Sequence, residues 1–520
     1  MKKVYVTTPI YYASGNVHIG NSYSTIVADV FARFHRLKGD DTYYLTGMDE
    51  HGQKIETKAS ELGLTPQQLV DKIALETKEV WENLKITNDD FIRTSEDRHK
   101  KVVQEVFEDL LKSGDIYLST YEGNYCMACE SYFPKSQLKD GDCCPDCGRK
   151  TKIIQEQSYF LKLKKYQDQL LKFIENNPTF IEPETRKNEV VSFIKQGLED
   201  LCVSRTSFEW GIKVPSDPKH VVYVWIDALT NYISALGYKS NDDSLFQKYW
   251  VNGDKVVHVV GKDILRFHAI YWPIMLMALN VPIKYKLYVH GWFLRKDGKM
   301  SKSFNNVIYP MDVVENYGLD SLRYFLVREM SLGSDAIFEY NRFFERFNFD
   351  LANDLGNLVS RSISMINKYL AGNVTKPTKS YFTFDDELEE VLKNTVIKYD
   401  YYFENFQFQN GLNEVWNLVR RANKYIDETL PWALAKDPEK LADLNSVMYH
   451  LYEVIRVVAI MVTPVMPDAA KVILDELFIE KANYTDLEYG IYETGKVVSN
   501  PVILFRRLDI EVEMKKHDNE

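Results

Sequence analysis

The sequence predicts an α/β domain built on a parallel sheet, interrupted by a cysteine-bearing insertion and followed by an all-α domain. Three observations predict this. A strand–helix–strand pattern opens the chain. Five of the six cysteines fall between Cys126 and Cys147, in a stretch after which the α/β patterning resumes. From about Phe343 to Leu477 the apolar residues recur at helical spacing almost throughout.

Val4 to Thr8 is β-branched and aromatic, which predicts a strand. Beyond Asn21, the residues Tyr23, Ile26, Val27, Val30, Phe31, Phe34 and Leu37 recur at steps that place them on one helical face, and Gly39 sits where a C-terminal cap belongs. "DTYYLTGMDEHG" then reads as a second strand ending in a loop. Strand, helix and strand in that order open a parallel sheet. Composition changes at Tyr117, and the segment to about Val221 holds the cysteines and several lysine-rich helical stretches. "HVVYVWIDALTNYI", "KVVHVVGKDILRFH" and "YKLYVHGWFL" restore the α/β pattern, so the first domain is read as split. In the helical domain, loops are expected around Asn373 to Thr378 and at Pro438. The terminal "KKHDNE" is expected to fray.

The 520 residues carry a formal net charge of −11, which excludes a uniformly basic nucleic-acid binder but not a local basic surface. "MKKVYVTTPIYY" turns polar at Thr7 and Thr8, too soon for a signal peptide. "VIRVVAIMVTPVM", Val454 to Met466, is broken by Arg456 and Pro464 and predicts a buried helix rather than a membrane span. Clustered cysteines in a long chain favour metal over disulfides and predict a reducing, cytoplasmic setting.

Ligands of open α/β sheets bind at the carboxyl ends of strands. The loop Pro9 to Gly20, with "GNVHIGNSYS" at its end, occupies that place after the first strand. The helix behind it points free N–H groups at the loop, which suits a phosphate. His18 can donate a hydrogen bond to a phosphate oxygen, and equally can serve as a plain helix cap. Farther along, "RKDGKMSKSFNN" sets Arg295, Lys296, Lys299 and Lys302 around Gly298. From Lys284 to Ser303 six Lys/Arg stand against one Asp, a local net charge of +5. Two lysines three apart can bracket a triphosphate; a solvated basic loop is the plainer reading of the same residues. "YCMACESYFPKSQLKDGDCCPDCGRK" contains Cys126-x-x-Cys129 and Cys144-x-x-Cys147, separated by the 14 residues 130 to 143. That spacing is a strong signal for one structural zinc ion held by four thiolates. Cys144 is preferred to Cys143 because "CPDCG" has the knuckle pattern. Cys202 stands alone and is read as a small buried apolar residue.

Taken as an ordered pair, His18-Ile19-Gly20-Asn21 and Lys299-Met300-Ser301-Lys302-Ser303 resemble the two signatures of the class I aminoacyl-tRNA synthetases. "TTPIYYASGNVHIG", "GMDEHGQKI", "YVWIDALTNYI", "VGKDILRFHAIYWP" and "VHGWFLRKDGKMSKS" narrow the resemblance to the methionyl branch, over Val4 to about Pro467. The resemblance implies a Rossmann-like catalytic domain (residues 1–116 and 222–300) split by a zinc-bearing insertion (117–221). A signature loop with a stem-contact region (301–342), a helical-bundle anticodon-binding domain (343–500) and a tail (501–520) follow. It implies ATP-dependent activation of L-methionine to methionyl-adenylate and transfer to tRNA(Met), with Mg2+ carried by ATP. A monomer is expected, because the added dimerising module that some relatives carry is not visible in these residues. His18, Asn21, Lys299 and Lys302 are then the donors that stabilise phosphate charge, and Gly20, Gly261, Asp263 and Lys302 hold ATP. Asp49 resembles the residue that takes the amino acid's ammonium, with Arg205 paired to it. Ile10, Tyr12, Trp225, Ala228, Tyr232, Ile264 and His268 resemble the side-chain pocket, where sulfur packs against aromatic edges and Tyr12 or His268 offers it a weak hydrogen bond. Asn21 departs from the usual second histidine; it keeps an N–H donor without the option of charge.

Asn353, Asn357 and Arg361 fall at i, i+4 and i+8 and are expected on one helix face. By resemblance Asn357, Arg361 and Trp432 read the CAU anticodon; on the residues alone the stripe is a solvated helix face. Another class I synthetase, an RNA-binding paralogue without catalysis and a small-molecule nucleotidyltransferase remain alternatives at this level.

Overall fold

Val4, Tyr5 and Val6 are fully buried in the strand Lys3–Thr7, which runs parallel to Lys255–Gly261, another apolar run. Strands covered on both faces read as continuous apolar segments rather than alternating ones, and these do. The computed structural model describes all residues except 14, 128–130, 134, 146, 296–297, 300–306 and 518–520. The chain divides into two units. Residues 2–17 and 42–289 make one; residues 1, 18–41 and 290–520 make the other.

The first unit is organised by a seven-stranded sheet. Its order is Tyr11–Tyr12, Asp41–Asp49, Lys3–Thr7, Lys255–Gly261, Tyr285–His290 and Ile181–Glu182, with Asp90–Arg93 paired to Asp41–Asp49. Asp41–Asp49 runs parallel to both Tyr11–Tyr12 and Asp90–Arg93. The first strand is therefore flanked on one side by the next long strand of the chain, Asp41–Asp49, and on the other by the far later Lys255–Gly261. That reversal of order opens a crevice at the carboxyl ends, beyond Thr7, Asp49 and Gly261. Inside the stretch expected as an insertion, Ile116–Cys126 and Lys152–Leu161 form a long antiparallel hairpin, edged by Ser131–Phe133 and Leu201–Cys202. Ile181–Glu182, from the same stretch, instead pairs parallel with Tyr285–His290 of the main sheet.

In the second unit the helix Ile19–Leu37 forms where its spacing predicts, but none of its residues is exposed, so it is covered on more than the one face expected; Phe34 packs edge-on to Tyr399 and beside Phe403. A small sheet joins Phe293–Arg295 antiparallel to Gly298–Lys299 and parallel to Ala336–Ile337. Helices Thr383–Glu404, Phe408–Thr429 and Leu441–Val462 make the main bundle. The last is the apolar stretch of the sequence. Its Arg456 is fully buried, paired with Glu453 at 2.7 Å, and donates to the Glu488 carbonyl. No helix among the described residues is long and apolar enough to cross a membrane. Two local expectations change. Asn373–Thr375, expected as loop, is a strand paired with Thr494–Lys496; three residues carry too little pattern to announce a strand. The C-terminal segment is ordered through His517: Asp509 caps the helix Ile510–Lys516, Glu513 accepts from the Tyr317 hydroxyl at 3.0 Å, and His517 stacks on Tyr340 at 3.6 Å.

Candidate active site

His18 is the N-cap of the helix Ile19–Leu37. Its backbone is extended, and its Nδ1 accepts from the Gly20 N–H at 3.1 Å. The Asn21 Oδ1 in turn accepts from the His18 N–H at 3.2 Å, which closes a reciprocal capping box. The His-x-Gly spacing is a packing requirement. A Cβ on Gly20 would lie 2.9 Å from His18 Cε1, so only glycine lets the imidazole fold over the first turn. Because a backbone N–H can only donate, His18 Nδ1 is unprotonated in this cap and the neutral ring carries its hydrogen on Nε2. The cap thus uses one ring nitrogen and leaves the hydrogen on the other, so the two readings of His18 are compatible. Asn21 contributes through its oxygen, by fixing the backbone that carries His18.

The lysine-rich loop belongs to the same unit. Lys299 follows Gly298 in the strand paired with Leu294 and Arg295. Lys302 lies outside the described residues. Where the chain resumes, the Ile308 carbonyl accepts from the Ile19 N–H at 3.0 Å. The residue after His18 and a residue shortly beyond the lysine signature are therefore joined through their backbones.

The amino-acid pocket candidates lie in the first unit, at the carboxyl edge of its sheet. Tyr12 is paired with Asp49, and the Asp49 carbonyl accepts from Ala13 N–H at 2.9 Å. Asp49 is buried, as are Ala228, Tyr232 and His268; Ile10, Trp225 and Ile264 are half-buried against the same core. Trp225, Ala228 and Tyr232 sit on the helix Val224–Ser234. Trp225 stacks on Phe267 at 3.6 Å and meets the His268 ring edge-on at 6.3 Å. Gly261 ends its strand, and Asp263 is exposed in the turn that follows. Arg205 is buried; its guanidinium donates to Cys202 Sγ and the Ser204 carbonyl and stands over the Tyr223 and Tyr125 rings. Cys202 is thus buried as expected, and also accepts a hydrogen bond.

The hydrogen bonds of His268 correct one expectation. Its Nδ1 lies 2.9 Å from the Ile264 carbonyl, which can only accept, so Nδ1 carries the proton. Burial pushes its pKa down to about 4, so the ring is neutral and Nε2 accepts from the Tyr232 hydroxyl at 2.7 Å. His268 therefore has no N–H to offer a substrate sulfur. Its role is to hold Tyr232, whose ring also stacks on His258 at 4.0 Å.

Sequence reasoning missed the buried polar network behind Asp49. Both oxygens of Asp227 accept from imidazoles: Oδ2 from His51 Nδ1 at 2.6 Å and Oδ1 from His99 Nε2 at 2.7 Å. Burial raises the Asp227 pKa, but His51 and His99 outweigh it and hold the carboxyl below its usual range. Glu50 is buried against Arg93 at 2.6 Å and Ser95; there burial wins, and its pKa is raised. One signal was available. Asp227 is the sole charged residue from Val221 to Leu236, and a buried acid in an apolar run demands a partner.

Two further groups complete the inventory. The sulfurs of Cys126, Cys144 and Cys147 all lie within 4.8 Å of one another and could hold a metal ion. Cys129 lies outside the described residues. Cys143 instead has its backbone bonded both ways to Lys139. In the helical bundle, Arg361 pairs with Asp427 at 3.1 Å, on the helix that ends just before Pro431 and the 41% exposed Trp432. Asn357 is exposed. The expected stripe starts only at Asn357, because Phe347–Gly356 is a wider, π-type helix in which i+4 does not return to the same face; Asn353 is half-buried.

Residues 4–153 and 144–363 match the family "tRNA synthetases class I (M)", and residues 377–518 match "Anticodon binding domain of methionyl tRNA ligase". The chain is 52% identical to the methionine–tRNA ligase of Oceanobacillus iheyensis, over 98% of this chain and 77% of that one. It is 50% identical to that of Bacillus subtilis, over 98% and 78%. Among solved structures, it resembles Mycobacterium tuberculosis methionyl-tRNA synthetase bound by methionyl-adenylate, with a TM-score of 0.92 and 38% identity over 97% of this chain and 100% of that one. The chain belongs to the methionyl family of class I aminoacyl-tRNA synthetases.

Proposed function

We propose that the enzyme activates L-methionine with ATP, as methionyl-adenylate, and transfers the methionyl group to the terminal ribose of tRNA(Met). The observation that supports this reading is the link from the end of the strand Asp41–Asp49 to the pocket helix: His51 is hydrogen-bonded to Asp227 of the helix that carries Trp225, Ala228 and Tyr232, and Tyr232 to His268. Asp49 takes the ammonium, and the half-buried apolar and aromatic groups Ile10, Tyr12, Trp225, Ala228 and Ile264 take the thioether. The methionine carboxylate attacks the α-phosphorus, the bond to the bridging oxygen breaks, and pyrophosphate leaves. No side chain needs to become covalently attached. The protein's work is in-line placement and donors aimed at growing phosphate charge. His18 supplies its Nε2–H, and Lys299 and Lys302 supply ammonium charge. Asn21 acts by holding the His18 backbone. Gly20 serves the nucleotide through the room it leaves for the His18 ring, Gly261 lets the nucleotide come close, and Asp263 accepts from its ribose. Arg205 keeps the surroundings of Asp49 positive. Mg2+ enters with ATP, as is usual for a hard cation bound largely through phosphates.

Cys126, Cys129, Cys144 and Cys147 would hold one Zn2+ as thiolates. The donor set suits a closed, structural site, and the apolar cluster around it is small: Cys126, Phe133 and Cys144, with Leu138 against them. Asn357, Arg361 and Trp432 read the anticodon, by hydrogen bonds to base edges and by stacking. Both sets of residues lie on one chain, so a monomer suffices, and cysteines gathered for a metal rather than for disulfides fit a cytoplasmic setting. The test is amino-acid-dependent ATP–pyrophosphate exchange over a panel of amino acids, followed by charging of tRNA(Met). Exchange with methionine alone is expected; exchange with isoleucine or cysteine in its place overturns the assignment.

A further inference from the structure

Asp49 and the side-chain pocket are carried by different elements. Asp49 ends a strand, and Trp225, Ala228 and Tyr232 ride on the helix Val224–Ser234. A ligand held at both ends needs those two elements at a fixed separation. Asp227 sits on that helix, one residue from Ala228 and two from Trp225, and is fully buried. Its Oδ2 takes the hydrogen of His51 Nδ1, two residues beyond Asp49. Its Oδ1 takes that of His99, whose other nitrogen meets Ser234 Oγ at 2.7 Å. The His51 segment is clamped a second time by Trp210: its indole donates to the Glu50 carbonyl at 2.6 Å, and its own carbonyl accepts from Gly52 N–H at 3.1 Å. A buried carboxylate is costly and is tolerated only when well paired. An apolar residue would pack the helix against its neighbours at less cost, but it would not grip His51.

We propose that Asp227 is a positioning residue for methionine: through His51 it locks the Asp49 segment to the pocket helix, so that the ammonium and thioether sites keep one spacing. This rests on the assignment of Asp49 and the pocket made above. The His99 arm aims the carboxylate; the His51 arm reaches the substrate site.

The test is pyrophosphate exchange with Asp227→Asn, alongside calorimetric binding of methionine and of its desamino analogue, which lacks the ammonium. Asparagine keeps the shape but cannot accept from both imidazoles. KM for methionine is expected to rise about 10- to 100-fold, with KM for ATP steady within about twofold. Affinity for the desamino analogue, which uses one end only, is expected to stay at the parent value. Parallel loss for both ligands, a parallel rise in KM for ATP, or an unchanged KM for methionine each overturns the proposal. A second pair of variants carries the test if Asp227→Asn does not fold. The amide nitrogen of His51→Asn overlays Nδ1 and keeps the bond to Asp227; that of His51→Gln overlays Nε2 and loses it. His51→Gln should show the methionine defect and His51→Asn should escape it. Equal behaviour of the two overturns the proposal. Failure of the underlying assignment is distinguishable, because it removes methionine-dependent exchange from the unaltered protein.

Discussion

Gly20→Ala should leave the protein about as stable as before and much slower. The added Cβ would stand 2.9 Å from His18 Cε1 and 3.1 Å from Nδ1, closer than carbon atoms tolerate. The obstructing atoms are the end of a rotatable side chain, so the imidazole swings away and the backbone stays. That forfeits the bond from Gly20 N–H to His18 Nδ1, a cap worth about 1 kcal/mol. Alanine returns up to about 1 kcal/mol over glycine within a helix. The two nearly cancel, and the melting temperature should move by no more than about 3 °C. The rate has no such compensation. With the ring displaced, its Nε2–H is lost to the proposed phosphate contact, and losing one preorganised donor costs about 100- to 1,000-fold in kcat. Pyrophosphate exchange and differential scanning fluorimetry on Gly20→Ala, His18→Ala and the double variant read both quantities. The double variant should be no slower than His18→Ala, since both changes remove the same donor. Parent-rate exchange by Gly20→Ala refutes the reasoning, and so does a double variant whose defect is the product of the two.

Atomic absorption should find one zinc per chain, and Cys144→Ser should lower that content while leaving the helical unit's unfolding transition in place. Arg361→Ala and Trp432→Ala should each reduce charging of tRNA(Met) by about 10- to 100-fold, with pyrophosphate exchange, which needs no tRNA, at the parent rate. Arg323 is fully buried on Asp29 at 2.7 Å and donates to the carbonyls of Pro464 and Val465. Arg323→Met removes one of the two ion pairs described for that carboxylate, the other being with Arg33 at 2.7 Å, and should cost about 3–5 kcal/mol in urea unfolding. Burial holds His268 near pKa 4, against 6.5 in the unfolded chain. Its contribution is therefore fully present above pH 6.5 and is lost as pH falls from 6.5 towards 4, by on the order of 3 kcal/mol. Its imidazole resonances should show no titration between pH 5.5 and 8.

Local signals carried most of this fold, and non-local pairing accounts for what they left out. Lys3–Thr7 and Lys255–Gly261 could be placed because each is an apolar run between turn residues. His18 and Gly20 were legible because their relation spans three residues. Tyr232 shows the limit: on residue type alone it is core, and it is indeed buried, so only the resemblance marked it as a pocket wall. Ile181–Glu182 joins the sheet with two residues, too few for any period to register. The wide turns of Phe347–Gly356 shift Asn353 off the face it would share with Asn357 in an ordinary helix. Asp227 finds its partners 176 and 128 residues away, and no periodicity encodes such a meeting.

His18, His268 and His290 share a logic that the motif alone does not reveal. In each of these three a neighbouring backbone group decides which nitrogen carries the proton. At His18 an N–H donates to Nδ1, so the ring hydrogen is left on Nε2, which is what the proposed phosphate contact needs. At His268 a carbonyl takes the Nδ1 hydrogen, so Nε2 becomes an acceptor and fixes the Tyr232 hydroxyl. At His290 the Gly291 carbonyl does the same, and Ser24 Oγ donates to Nε2 at 2.7 Å. A substitution that keeps each histidine but moves the adjacent peptide should therefore reverse its hydrogen-bonding sense. Gly20→Ala reaches a related end from the other side: the peptide stays, the imidazole swings away from it, and the ring is left chemically intact without the bond that orients it.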